Sequence, residues 1–185
     1  MTEPDTPLPW RHPVKIAELA ARKPTRFDLI PDAETRACIA EWAGITALAT
    51  LRLKGELTPK GRHDWLLTAA LTARVEQPCV ITLTPVVTDL SETVERRYLA
   101  DMPEPEGDEI EMPEDDSAEP LPATIDLAAV ALEALELALP LYPRAEGAEF
   151  SDTTVTEPGA APITDEDVKP FANLRSLMEA RKPDA

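Results

Sequence analysis

Apolar and polar positions follow two different periods along the chain, and the changes of period mark its elements. Between Pro31-Asp32 and Gly44, the residues Cys38, Ile39 and Trp42 fall at helical spacing, which predicts a helix with one buried stripe. Asp32 stands where its carboxylate can cap the free N–H groups, Glu34 sits in the first turn, and Gly44 ends the run. After Gly44 the period drops to two. Ala47, Ala49, Leu51 and Leu53 alternate with Thr46, Leu48, Thr50, Arg52 and Lys54, and Trp65, Leu67, Ala69, Leu71, Ala73 and Val75 alternate with Leu66, Thr68, Ala70, Thr72, Arg74 and Glu76. Two strands joined by the turn residues Thr58 to Arg62 predict a long hairpin. Gln77-Pro78 breaks the alternation, Cys79, Ile81 and Leu83 resume it, and a further strand is expected near Thr93 to Leu99. A first strand at Val14 to Leu19 is weakly signalled. Asp126 can cap a second helix, which Pro140 stops. Glu133 and Glu136 share one side of it and Leu132, Leu135 and Leu139 another, so it is expected to pack on the sheet. The expected fold class is α+β: two main helices around an antiparallel β-meander that can curl toward a barrel.

Charge changes this picture by dividing the chain. The 185 residues carry a formal net charge of −17, yet residues 1–100 balance 13 basic against 13 acidic side chains. The excess lies in two windows free of bases: ten acids from Asp101 to Pro120 and seven from Ala145 to Val168. The first window has too few apolar residues to recover its ordering entropy by burial, so a disordered acidic loop is expected. Beyond the second, Phe171, Leu174, Leu177 and Met178 return at helical spacing, as a C-terminal helical tail. The expected domains are 1–145, a single α+β domain with the acidic loop 101–124 inserted; 146–168, an acidic linker; and 169–185, a tail motif. Such a charge argues against holding nucleic acid by phosphate contacts alone. Two cysteines suggest a reducing compartment. The N-terminus has no basic flank and apolar run of a signal peptide, and the longest apolar stretch, Leu127 to Leu139, is too short to span a bilayer. A cytoplasmic protein without membrane contact is expected.

Motifs of known chemistry are missing from the sequence: no glycine-rich phosphate loop, G-x-S-x-G elbow or H-E-x-x-H helix occurs. His12 and His63 are expected at the surface, and Cys38, Trp42 and Trp65 in the core. A nuclease built on a carboxylate cluster and Mg²⁺ would need its acids on rigid elements, whereas the densest acids lie in proline-rich coil. No catalytic residue, cofactor or small-molecule substrate is therefore expected. Lys60 and Arg62, with Lys54 more broadly, form a weak candidate for direct RNA contact at the hairpin turn.

Three stretches carry a resemblance. LTARVEQPCVITLTPV is similar to a strand leading into a Cys-x-x-Cys-Leu signature, with Cys79 and Leu83 in place and Thr82 where the second cysteine would stand. Asp126, Glu133, Leu137, Leu139 and Pro140 resemble an acidic helix with an L-x-L-P ending. Pro170, Phe171, Leu174 and Leu177 resemble a terminal P-F-A-x-L-x-x-L. In this order they resemble the bacterial YceD family, the large ribosomal RNA subunit accumulation proteins. That resemblance implies a ribosome-biogenesis role in making or preserving large-subunit ribosomal RNA, and proximity to ribosomal proteins, without implying catalysis. One cysteine at the signature does not make a four-ligand zinc site, so no metal is expected. Combined with the charge, the resemblance favours a non-enzymatic factor that binds a basic ribosomal protein or a pre-ribosomal particle. Pro170, Phe171, Leu174, Leu177 and Met178 are its expected partner-binding residues. The alternative is a general acidic chaperone or adaptor for basic proteins, with no specific ribosomal RNA role.

Overall fold

The computed structural model describes residues 7–102 and 118–149. Its elements are β1 (Pro13–Lys15), a single 3-10 turn (Ile16–Glu18), β2 (Thr25–Leu29), α1 (Ala33–Trp42), β3 (Ala47–Lys60), β4 (Asp64–Pro78), β5 (Pro85–Leu99), β6 (Ala118–Pro120), β7 (Thr124–Asp126) and α2 (Leu127–Ala138). The main sheet has the order β2-β3-β4-β5-β6, and β1 and β7 form a separate pair. The fold is α+β, but the barrel is not formed: the main sheet stays open, and β5–β6 is a parallel pair in an otherwise antiparallel sheet.

Alternation along β3 and β4 places every second side chain on one face, and that face is the core. Leu51, Leu53, Leu57, Leu67, Leu71 and Val75 are buried there against Leu127, Leu132 and Leu135 of α2. Burial of one such side chain is worth roughly 1.5–3 kcal/mol, so helix and sheet hold each other. Trp65 lies in this core and Trp42 packs partly buried against it. Asp126 caps α2 by accepting from the Ala128 N–H at 3.1 Å and the Ala129 N–H at 3.4 Å. It also accepts from the His12 N–H at 2.8 Å, which ties the N-terminal segment to the helix start. Asp32 caps α1 through the Thr35 N–H at 2.8 Å, and Gly44 follows α1 with φ +64°.

Several expectations are corrected. Cys38 is exposed, and Ile39 and Ala40 are the buried residues of α1. A register shift between Leu48 and Thr50 puts Leu48 inward and leaves Ala49 outside, because a bulge exchanges the faces of a strand. The first strand shrinks to three residues before the 3-10 turn. β5 starts at Pro85, well before Thr93. Ala118–Pro120, the end of the expected disordered window, is β6, while residues 103–117 lie outside the described residues. The chain divides into units Met1–Ala148 and Glu149–Ala185; beyond Glu149 the linker and the tail, with Pro170, Phe171, Leu174, Leu177 and Met178, also lie outside them.

One half-buried cation locks the sheet to α2. Arg96 in β5 is 17% exposed; its Nη1 donates to Glu119 of β6 at 3.0 Å and its Nη2 pairs with Glu133 of α2 at 2.5 Å.

Candidate functional site

Cys79 and Leu83 lie in the connection between β4 and β5, which is a tight loop and not the resumed strand that the alternation of Cys79, Ile81 and Leu83 suggested. The Cys79 N–H donates to the Thr84 carbonyl at 2.8 Å and the Leu83 N–H to the Cys79 carbonyl at 2.9 Å. Leu83 adopts φ +60°, a left-handed conformation that a leucine rarely takes, and its side chain is 76% exposed.

The Cys79 sulfur organises the loop from inside. It is fully buried and accepts from the Ile81 and Thr82 N–H groups, each at 3.4 Å. The amide of Ala145, then the hydroxyl and amide of Thr82, lead the interactions that pull its pKa from 9.0 down to about 6, against the opposing effect of burial. Thr82, at the place of the second signature cysteine, shares a hydrogen bond with Thr84 between their hydroxyls at 2.7 Å. Among the described residues, no group of three His, Cys, Asp or Glu side chains converges on a common point for a metal.

Hydrogen bonds pin this loop to the chain leaving α2. The Val80 N–H donates to the Pro143 carbonyl at 2.9 Å, and Gln77 Nε2 to the Pro140 carbonyl at 3.3 Å. The structure thus brings Cys79 and Leu83 to the same end of the molecule as the Leu137-Ala138-Leu139-Pro140 segment. Leu139 packs on the core from this segment, while Leu83, Leu137, Leu141 and Tyr142 are each more than three-quarters exposed. Asp126 and Glu133 do not join them. The first caps α2, and the second pairs with Arg96.

The basic candidates are also dispersed. Lys54 and Lys60 lie on one face of β3, six residues and about 20 Å apart, and Arg62 lies in the turn at the other end of the hairpin from Cys79. Acids intervene on that face. Arg26 pairs with Glu56 at 3.3 Å, and Arg52 donates from Nε and Nη2 to both carboxylate oxygens of Asp28 at 2.7 and 2.5 Å, which holds the Asp28 carboxyl below its usual range. Arg96, which joins Glu119 and Glu133, was not singled out by the sequence: one of two adjacent arginines in a strand, Arg96 and Arg97, gives no sign of what faces it.

Residues 67–178 match the family described as Large ribosomal RNA subunit accumulation protein YceD, 112 of the 185 residues. The chain belongs to the YceD family. The matched span starts inside β4, takes in the Cys79 loop, β5 and α2, and ends at Met178, so it includes both the corner described above and the C-terminal Phe171, Leu174 and Leu177. The family's description places the chain with accumulation of large-subunit ribosomal RNA. No curated protein and no solved structure matches the chain significantly. Among the described residues, no helix is long and apolar enough to cross a membrane.

The sulfur geometry has a measurable consequence within this family corner. A thiol whose pKa falls on folding contributes stability that is fully present above the unfolded value near 9 and is lost as the pH drops through about 6. Wild type is therefore expected to melt increasingly above the Cys79→Ala variant as the pH rises from 6 to 9, with the gap widening by a few degrees; thermal melts across this range check it. A gap independent of pH would mean that the sulfur remains a thiol.

Proposed function

We propose that this chain supports the accumulation of large-subunit ribosomal RNA as a non-enzymatic binding factor, engaging a basic ribosomal protein or a pre-ribosomal particle. The observation that carries this reading is the family match over residues 67–178. The physical chemistry narrows the partner. With a net charge of −17 concentrated in two base-free windows, the chain repels phosphate and attracts basic protein surface, so its acids accelerate encounter with such a partner. Pro170, Phe171, Leu174, Leu177 and Met178 supply an apolar stripe at helical spacing for docking. Lys54, Lys60 and Arg62 are too dispersed to form the main contact with RNA.

Affinity recovery of the tagged full-length chain at low salt, with bound RNA and protein both identified and the recovery repeated after ribonuclease, is the test. A basic ribosomal protein that persists after ribonuclease is the expected result. Recovery that depends wholly on RNA would replace this reading with direct RNA contact, and an unselective set of basic proteins would replace it with a general acidic chaperone.

A further inference from the structure

Scattered exposed apolar side chains need no explanation, but clustered ones mark a site of interaction. Val80, Leu83, Leu141 and Tyr142 are all exposed, and they stand on two segments distant in sequence that hydrogen bonds hold together. The Val80 N–H donates to the Pro143 carbonyl at 2.9 Å, and Gln77 Nε2 donates to the Pro140 carbonyl at 3.3 Å. Pro140 and Pro143 bracket Leu141 and Tyr142 and fix the backbone φ on either side of them. Leu141 is 85% exposed and Tyr142 76%, while Pro143 is buried. The segment is therefore anchored through its prolines and leaves its two large apolar side chains in solvent.

Leu83 adds backbone strain to this corner. At φ +60° a residue with a Cβ is disfavoured, and glycine or asparagine makes the same turn with less strain. The Leu83 side chain contributes little burial to the fold, being 76% exposed. Strained residues collect where function uses what they present, here an apolar side chain held in water. Charge around the corner is one-sided. Residues 77–84 carry none; among the described residues that border them and the Pro140–Pro143 segment, Glu76, Glu136, Glu146 and Glu149 outnumber the base Arg144, and Arg74 is paired with Asp89 at 3.7 Å. An apolar patch bordered by acids repels RNA and a second copy of this −17 chain, and it complements a basic protein surface.

We propose that Leu83, Leu141 and Tyr142 dock together in an apolar groove of a partner protein whose rim carries lysine and arginine. Side chains on a braced backbone lose less freedom on binding, and a tyrosine shut off from water inside an interface is a frequent anchor. Attraction between the acids and the basic rim speeds encounter. The inference rests on the reading of this chain as a binder of basic protein and gives that reading a surface within the described residues.

The probe is the photoreactive amino acid p-benzoylphenylalanine, placed singly at position 83, 142 or 30 of the full chain in its host; Ile30, exposed between β2 and α1, is the control. Irradiation is expected to join positions 83 and 142, and not position 30, to one basic protein identified by mass spectrometry. Leu83→Asn is expected to melt at least as high as wild type and the Leu141→Ser, Tyr142→Ser double variant to melt unchanged, and each to recover roughly tenfold less of that protein. A lower melting temperature in either variant assigns these side chains to the fold and overturns the proposal. So does the absence of any cross-link from 83 and 142, or a cross-link to a second copy, to the chain's own residues 169–185 or to RNA in place of a basic protein. In the affinity recovery, wild-type capture of a basic ribosomal protein by both variants overturns the corner and leaves the proposed function standing. Cross-links to a basic protein that is not ribosomal support the corner and remove the ribosomal reading.

Discussion

Replacing Gly55 by alanine is expected to destabilise the domain by about 3 kcal/mol or more, at the upper end of what overpacking costs, and replacing it by valine to abolish cooperative folding. Gly55 lies in β3 directly opposite Ala69 of β4 and next to Phe27 of β2. A Cβ there would run into the Thr68 carbonyl oxygen and lie 2.6 Å from both the Cα and the Cβ of Ala69. The obstruction lies on the partner strand and is largely backbone, so no rotamer relieves it; β3 and β4 would have to separate at this point. Strand propensity points the other way, since valine is favoured in strands by as much as about 1 kcal/mol over poor formers. The clash decides the sign. Gly44 is the control: it needs its left-handed backbone, but a Cβ there meets nothing within 4 Å, so Gly44→Ala is expected to cost about 1 kcal/mol. Urea unfolding of the three variants checks this, and a Gly55→Ala protein as stable as Gly44→Ala would contradict the packing described.

The same hairpin shows what the sequence made legible. Alternation over Trp65 to Val75 identified β4, and the caps Asp32 and Asp126 located both helix starts, because these signals are local. β2 was invisible. Its five residues, TRFDL, carry only a short alternation between Phe27 and Leu29 and become a strand by pairing with Leu53 to Leu57. The bulge at Leu48 escaped for a related reason: apolar Ala47, Leu48 and Ala49 fit either face, and only tertiary packing chooses. Cys79, Ile81 and Leu83 had the rhythm of a strand, but backbone N–H groups that would have joined a ladder turn to the Cys79 sulfur instead. At the site, Cys79, Leu83 and Pro140 were named through a resemblance, whereas their convergence depends on the Val80–Pro143 and Gln77–Pro140 hydrogen bonds between distant segments.

The second large effect concerns the C-terminal apolar residues and the central claim together. Phe171 and Leu174 lie within the family match, and burying two such side chains against a partner is worth roughly 3 to 6 kcal/mol, a factor of about 10² to 10⁴ in affinity. Their joint replacement by alanine is therefore expected to leave the protein present in the cell without its function. Depleting the chain from its host and measuring the ratio of large- to small-subunit ribosomal RNA tests the account most directly. The account predicts that the ratio falls on depletion, returns with the wild-type chain and does not return with the Phe171→Ala, Leu174→Ala chain at equal abundance. An unchanged ratio in depleted cells would contradict it.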